Sequence, residues 1–115
     1  MKYTGWELHN FDQANFYRSY QFSLIKKYIK GSILEVGPGN CIYLTDYSKI
    51  CNKITLIEPT RKYFNFWSKK KKKFNIVVKK DYKSLKKNSF DTILYLDVIE
   101  HIKDDVKEIK NAYRY

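Results

Sequence analysis

The chain has 115 residues, 43% of them hydrophobic, and a formal net charge of +11. That length suits one small domain and not two, and the apolar content excludes an intrinsically disordered chain. No apolar run approaches the roughly 20 residues of a membrane helix, the first residues lack the apolar core of a secretory signal, and the two cysteines, Cys41 and Cys51, read as reduced thiols of a cytoplasmic protein rather than as a disulfide scaffold.

In chain order, Phe16, Tyr20, Leu24 and Tyr28 recur at helical spacing, widened by Tyr17, Ile25 and Ile29, and predict a helix over 11–30 that stops at Lys30-Gly31. Residues 32–36 form a buried strand that runs into Gly37-Pro38-Gly39-Asn40, with a short helix expected over 42–48. Residues 53–58 are β-branched and apolar, and Pro59 ends that second strand because it cannot donate to a ladder. Thr60 is placed to cap a helix carrying Tyr63, Phe64, Phe66 and Trp67. A third strand follows over 75–78, a polar stretch over 81–89, and the most apolar strand over 91–97. The last helix begins near Lys103, with Asp105 and Glu108 in capping-box spacing and Val106, Ile109 and Tyr113 on one face.

Strands alternating with helices imply a parallel α/β sheet with right-handed crossovers. Ligands of such sheets sit at the carboxyl ends of the strands. Four polar clusters fall at those ends: residues 35–40, Glu58-Pro59, Asp81-Tyr82 and residues 97–101. Gly37 and Gly39, having no side chains, let the main chain approach a bulky ligand and take positive φ at low cost. A nicotinamide dinucleotide favours Gly-x-Gly-x-x-Gly, and Ile42 occupies the sixth place, which argues against an NAD-linked oxidoreductase. Glu58, nineteen residues after Gly39, is placed to accept hydrogen bonds from ribose hydroxyls.

Charge is unevenly spread. Residues 61–87 hold twelve Lys and Arg against the single acid Asp81, and this segment accounts for the whole excess. Such a cluster attracts phosphate-bearing partners, so a non-catalytic, degenerate or truncated module that binds nucleic acid is the alternative reading. The run at 69–73 has no interleaved aromatic or Arg, which base stacking or bidentate phosphate contact would favour. A solvated helix end and loop is the plainer account of it.

The four clusters, in this order, resemble the class I S-adenosylmethionine-dependent methyltransferases. ILEVGPGN at 33–40 is similar to that family's first motif, LIEP at 56–59 to the acidic end of its second strand, and Asp81 to its adenine-binding acid; FDTILYLDVIEHI at 90–102 resembles its fourth-strand motif. The leader TGWELHNFD at 4–12 is a looser likeness, and His9 within it reads as a surface residue. The resemblance implies a Rossmann-like sheet with flanking helices, S-adenosylmethionine as cofactor, and methyl transfer to an O, N or C nucleophile of a small-molecule acceptor. By it, Gly37, Gly39 and the Asn40 backbone face the methionine part, Glu35 lies near its ammonium, directly or through water, and Asp97 lines the same end. Glu58 holds the ribose, Asp81 takes the adenine amino group, and Tyr82 lies against the ring.

Cys41 stands where many relatives have glycine or another small residue, and Lys80 where a smaller residue is common. Glu100 and His101 are the catalytic candidates. With Asp97 they match a spacing that accompanies a divalent metal in some O-methyltransferases, although the pair more simply shapes the turn after the strand and no metal is expected. The resemblance divides the chain into a leader and helix over 1–31 and a cofactor-binding part over 32–115. It also implies that only the first four of seven strands are present, since the family's Leu-x-Pro-Gly-Gly turn is not in the sequence. An open edge on the fourth strand follows from that expectation, and so does doubt over activity in these residues alone. A complete small domain that dimerises over that edge is the alternative.

Overall fold

The computed structural model describes residues 15–115; the leader, His9 and the expected start of the first helix lie outside the described residues. Within them the chain folds as α1 (Asn15–Ile25), a 3-10 turn (Lys26–Tyr28), β1 (Gly31–Val36), α2 (Leu44–Tyr47), β2 (Cys51–Ile57), α3 (Arg61–Phe74), β3 (Ile76–Lys79), β4 (Thr92–Leu94), a second 3-10 turn (Ile99–His101) and α4 (Asp105–Ala112). All strand pairings are parallel, in the order β3-β2-β1-β4. The chain builds outward from β1 on one side and then crosses to place β4 on the other. That reversal puts a crevice at the carboxyl ends of β1 and β4, where ligands of open parallel sheets sit. No helix among the described residues is long and apolar enough to cross a membrane.

Strand pleating sorts the core into two layers. Ile33, Ile54, Leu56, Ile76 and Leu94 point to one face, where they pack with Ile29, Cys41, Tyr43, Leu44, Tyr47 and Trp67. Leu34, Val36 and Ile57 point to the other, against Tyr82, Leu85, Phe90, Ile93 and Tyr95. The first face is roofed by helices. The second is roofed mainly by the 80–90 loop, which Leu85 and Tyr82 pin to the sheet.

Several elements depart from the sequence reading. The face of α1 that packs inward carries Phe22 and Ile25, with Phe22 stacked on Tyr43 at 5.7 Å. Of the expected stripe, Phe16, Tyr17, Tyr20, Leu24 and Tyr28 are exposed, while Ile25 and Ile29 do face the core. α2 is a single turn because Cys41 takes a left-handed φ of 49°, which delays the helix to Leu44. β4 stops at Leu94, short of Asp97, whose own φ is 57°; the chain peels away from β1 before the acid. Among the described residues β4 is the sheet's edge next to β1. At α4 the capping residue is Asp104, which accepts from the Lys107 N–H at 3.1 Å, so the expected Asp105–Glu108 box does not form. Val106, Ile109 and Tyr113 are exposed. Thr60 caps α3 by backbone conformation alone, and its N–H is taken by Glu58 Oε1 at 2.9 Å.

Candidate functional site

The glycine turn is held from several sides. Gly37 continues the ladder by donating to the Ile57 carbonyl at 2.8 Å, and the Cys41 N–H closes the turn onto the Pro38 carbonyl at 2.7 Å. Gly37 sits at φ 65°, and a Cβ there would meet Val98 Cγ1 at 3.0 Å. Only glycine combines that backbone with that approach. The peptide units on both sides of Gly39 are held: its N–H donates to Glu58 Oε2 at 3.1 Å, and its carbonyl accepts from Trp67 Nε1 at 2.7 Å.

This turn forms one wall of a cavity of about 790 Å³ at the carboxyl ends of the strands. Gly37, Gly39, Glu58, Asp81, Tyr82, Asp97 and His101 all border it. Sequence positions spread over more than sixty residues thus share a single crevice, as the rim of strand ends implies. Glu58 is buried at the tip of β2, its own N–H paired with the Lys79 carbonyl at 2.8 Å. Asp81 is exposed, and its Oδ1 accepts from the Lys83 N–H at 2.9 Å in a tight turn. Asp97 is exposed, yet partial desolvation at the cavity edge raises its carboxyl above its ordinary value, the charge of Glu100 adds to the rise, and His101 opposes it. Lys80 also borders the cavity, with its ammonium 5.0 Å from the centre of the Phe64 ring.

One lining residue had no role in the sequence reading beyond a cap. Glu108 borders the cavity and accepts from Tyr95 Oη at 2.6 Å, and the one hydroxyl proton of Tyr82 is shared between Tyr95 Oη and Glu108 Oε1, the latter 3.2 Å away. Burial pushes both phenols well up from their ordinary value. Tyr82 stacks on Tyr115 at 5.0 Å, so one face of its ring is covered while the residue still reaches the cavity. The signal for Glu108 in the sequence was only its place near the start of the last helix; the tyrosine pair that recruits it comes from two separate segments.

Glu35 is set apart from the other strand-end acids. It does not border the cavity; it is buried beneath the glycine turn, where it accepts from the Tyr47 hydroxyl and from Cys41 Sγ, the latter at 3.1 Å. Strand parity is the reason: Glu35 shares its face with Ile33, and that face is roofed by α2. Desolvation raises its carboxyl to about 7, with the two hydrogen bonds opposing and the charge of Glu58 adding. Burial also holds the Cys41 thiol well above its usual range, which suits a packed, unreactive sulfur.

Asn40 also lies outside the main cavity and borders a second groove along α3. Glu100 faces solvent, with Oε1 3.7 Å from His101 Nε2. Among the described residues no group of three His, Cys, Asp or Glu side chains converges as a metal-ligand set, so the Asp97, Glu100 and His101 spacing does not gather into one.

A search of curated proteins and a search of solved structures both find no significant match. A family model described as a methyltransferase domain matches residues 34–115, a span that contains the glycine turn, all four strand tips and every residue bordering the cavity. With the parallel α/β sheet in place beneath that match, the chain belongs to the methyltransferase domain family, of class I architecture.

Proposed function

We propose that the strand-end cavity binds S-adenosylmethionine and that the domain transfers its methyl group to an O, N or C nucleophile of a small-molecule acceptor. The observation that carries the reading is Glu58: a buried carboxylate that ties the Gly39 and Thr60 N–H groups together while bordering the same cavity as Asp81 and Asp97. Each carboxylate oxygen has a second lone pair, so Glu58 keeps acceptor capacity for a ribose diol.

The donor set fits a cationic nucleoside. About 790 Å³ is ample for a cofactor of that size. Val36, Ile57, Leu96 and Val98 supply apolar wall, and the acids Glu58, Asp81, Asp97 and Glu108 outnumber the lysines Lys80 and Lys103. Asp81 would take the adenine amino group, Tyr82 would flank the ring, and Asp97 would face the ammonium and sulfonium, where opposite charge is favourable. Gly37 and Gly39 would let the main chain lie against the methionine part. Glu35 would act by supporting that turn from below.

When bound, the cofactor supplies an activated methyl carbon, so the chain has chiefly to position and desolvate. His101 borders the cavity and is the group placed to accept a proton from an acceptor; Glu100, turned to solvent, would only tune it. A cytoplasmic setting accords with the free thiols of Cys41 and Cys51.

Calorimetric titration with S-adenosylhomocysteine, with NADH as the control, tests the reading. Binding of the first and not the second is expected, weakened about tenfold in Asp81→Asn and in Glu58→Gln. Asp81 is exposed, so its variant keeps the fold even if the loss of a Glu58 anchor does not. No binding by a chain that unfolds cooperatively in urea, or binding indifferent to Asp81→Asn, would overturn it.

A further inference from the structure

The second groove lies between the glycine turn and α3, has a volume of about 390 Å³, and is walled by Asn40, Lys62, Tyr63, Phe66, Lys69 and Lys70. Tyr63 also borders the strand-end cavity, so the two sites share a wall. Read linearly, the lysines at 69–73 have no aromatic among them. Wound into α3, residues three and four apart become neighbours, and Phe66 stands beside Lys69 and Lys70. The Lys70 ammonium lies 4.3 Å from the centre of the Phe66 ring, and the Lys62 ammonium 5.4 Å from that of Tyr63. Phe66 packs edge-on against Trp67 at 4.9 Å yet is 44% exposed. Among the described residues no carboxylate lies within ion-pair distance of any of these lysines, the one such contact being Glu100 with His101.

We infer that this groove is a docking site for single-stranded nucleic acid, with Lys62, Lys69 and Lys70 on phosphates and a base stacked on Phe66. A duplex hides its base faces, and an anionic vesicle presents phosphate with no ring to stack. An open aromatic face edged by ammonium groups selects unstacked bases. On ligand entry Lys70 exchanges its ring contact for a phosphate, which is the stronger partner. Outside residues 61–87 the chain is charge-balanced, and seven of the twelve basic residues in that segment lie on α3, so the larger share of the attraction is directed to this side of the molecule. The site needs neither the cofactor nor methyl transfer, and so goes beyond the function proposed above.

Fluorescence anisotropy with a short fluorescein-labelled oligouridine, across a sodium chloride series, tests it. Three phosphate contacts predict a slope of log affinity on log salt of about −2. Lys69→Gln with Lys70→Gln removes about 1.4 of that slope, whereas Lys83→Gln with Lys86→Gln, an equal change of charge in the 80–90 loop, leaves most of it. Phe66→Ala weakens binding about tenfold without altering the slope, and Phe66→Trp restores it. The inference is overturned if the loop pair costs as much as the groove pair, if Phe66→Ala has no effect, or if duplex DNA or phosphatidylserine vesicles bind as tightly as the oligouridine. Thermal melts confirm folding of each variant, and S-adenosylhomocysteine titration reads the other cavity separately, so failure of one site is told apart from failure of the other.

Discussion

Replacing Glu35 by Gln isolates the energetic cost of the acid beneath the glycine turn. In the unfolded chain this carboxyl ionises near 4.5, whereas in the fold it keeps its proton until about 7. Between those values the folded state binds more protons than the unfolded one, so stability falls as pH rises through the interval and levels off above it. Each pH unit is worth about 1.4 kcal/mol, which makes the total about 3 kcal/mol. That is a large share of the about 5–15 kcal/mol typical of a domain. Glutamine keeps the shape and, through its carbonyl, the acceptor for Tyr47 and Cys41, but has no charge to desolvate. Its NH₂ group would cost about 1 kcal/mol if it finds no partner. Urea unfolding followed by tryptophan fluorescence from pH 4.5 to about pH 8 is the assay. Glu35→Gln is expected to be the more stable protein by about 2 kcal/mol at the alkaline end, to lose that advantage at the acid end, and to flatten the parent's pH dependence. Parallel profiles for the two proteins across the whole range would refute the reasoning.

Gly37→Ala is expected to lower stability by about 2 kcal/mol, because its φ of 65° and the 3.0 Å approach of Val98 both oppose a Cβ; adding Val98→Ala recovers the steric part only, as read from urea midpoints. Asp97 is held above its ordinary value by partial desolvation, and a cationic ligand favours its charged form, so calorimetric affinity for S-adenosylmethionine should be lost as pH falls through that raised value, while Asp97→Asn gives a flat and weaker profile. Burial raises both thiols, but Cys41 is far more enclosed than Cys51. Iodoacetamide with mass-spectrometric mapping should therefore modify Cys51 first and Cys41 only after unfolding. Trp67→Phe removes the donor to the buried Gly39 carbonyl and is expected to cost about 1–3 kcal/mol in thermal or urea unfolding.

The α/β alternation was legible because each strand is a compact apolar run closed by a turn signal, and the parallel sheet follows from that order. The faces of the helices were not. Phe16, Tyr20, Leu24 and Tyr28 form a regular helical stripe that Ile25 and Ile29 only flank, yet it is Ile25 and Ile29, with Phe22, that pack inward against the cluster holding Tyr43 and Ile33. Periodicity says that a helix has an apolar face; it does not say which of two adjacent aromatic faces a sheet will meet. The same ambiguity moved the cap of α4 from Asp105 to Asp104. Two acids in sequence offer the same local chemistry, and Glu108 was drawn away by Tyr82 and Tyr95.

Glu35 and Glu58 carried the same signal, an acid at a strand end, and came to opposite places. Glu35 lies inside β1, paired with Leu56 and Leu94, so pleating fixes its side chain on the helix-roofed face with Ile33. Glu58 follows the last residue of β2; its N–H still bonds to the Lys79 carbonyl of β3, but among the described residues no helix roofs it as α2 roofs Glu35, and its carboxylate meets the N–H groups of Gly39 and Thr60. One acid supports the turn from beneath and the other clamps it from the cavity side. Trp67, 28 residues away in sequence, holds the Gly39 carbonyl and so the next peptide along. The turn is thereby fixed before a ligand arrives, which spares binding the entropy of ordering it. Spacing within the glycine motif describes what the turn permits, while its rigidity comes from partners on β2 and α3 that only the parallel crossover brings alongside.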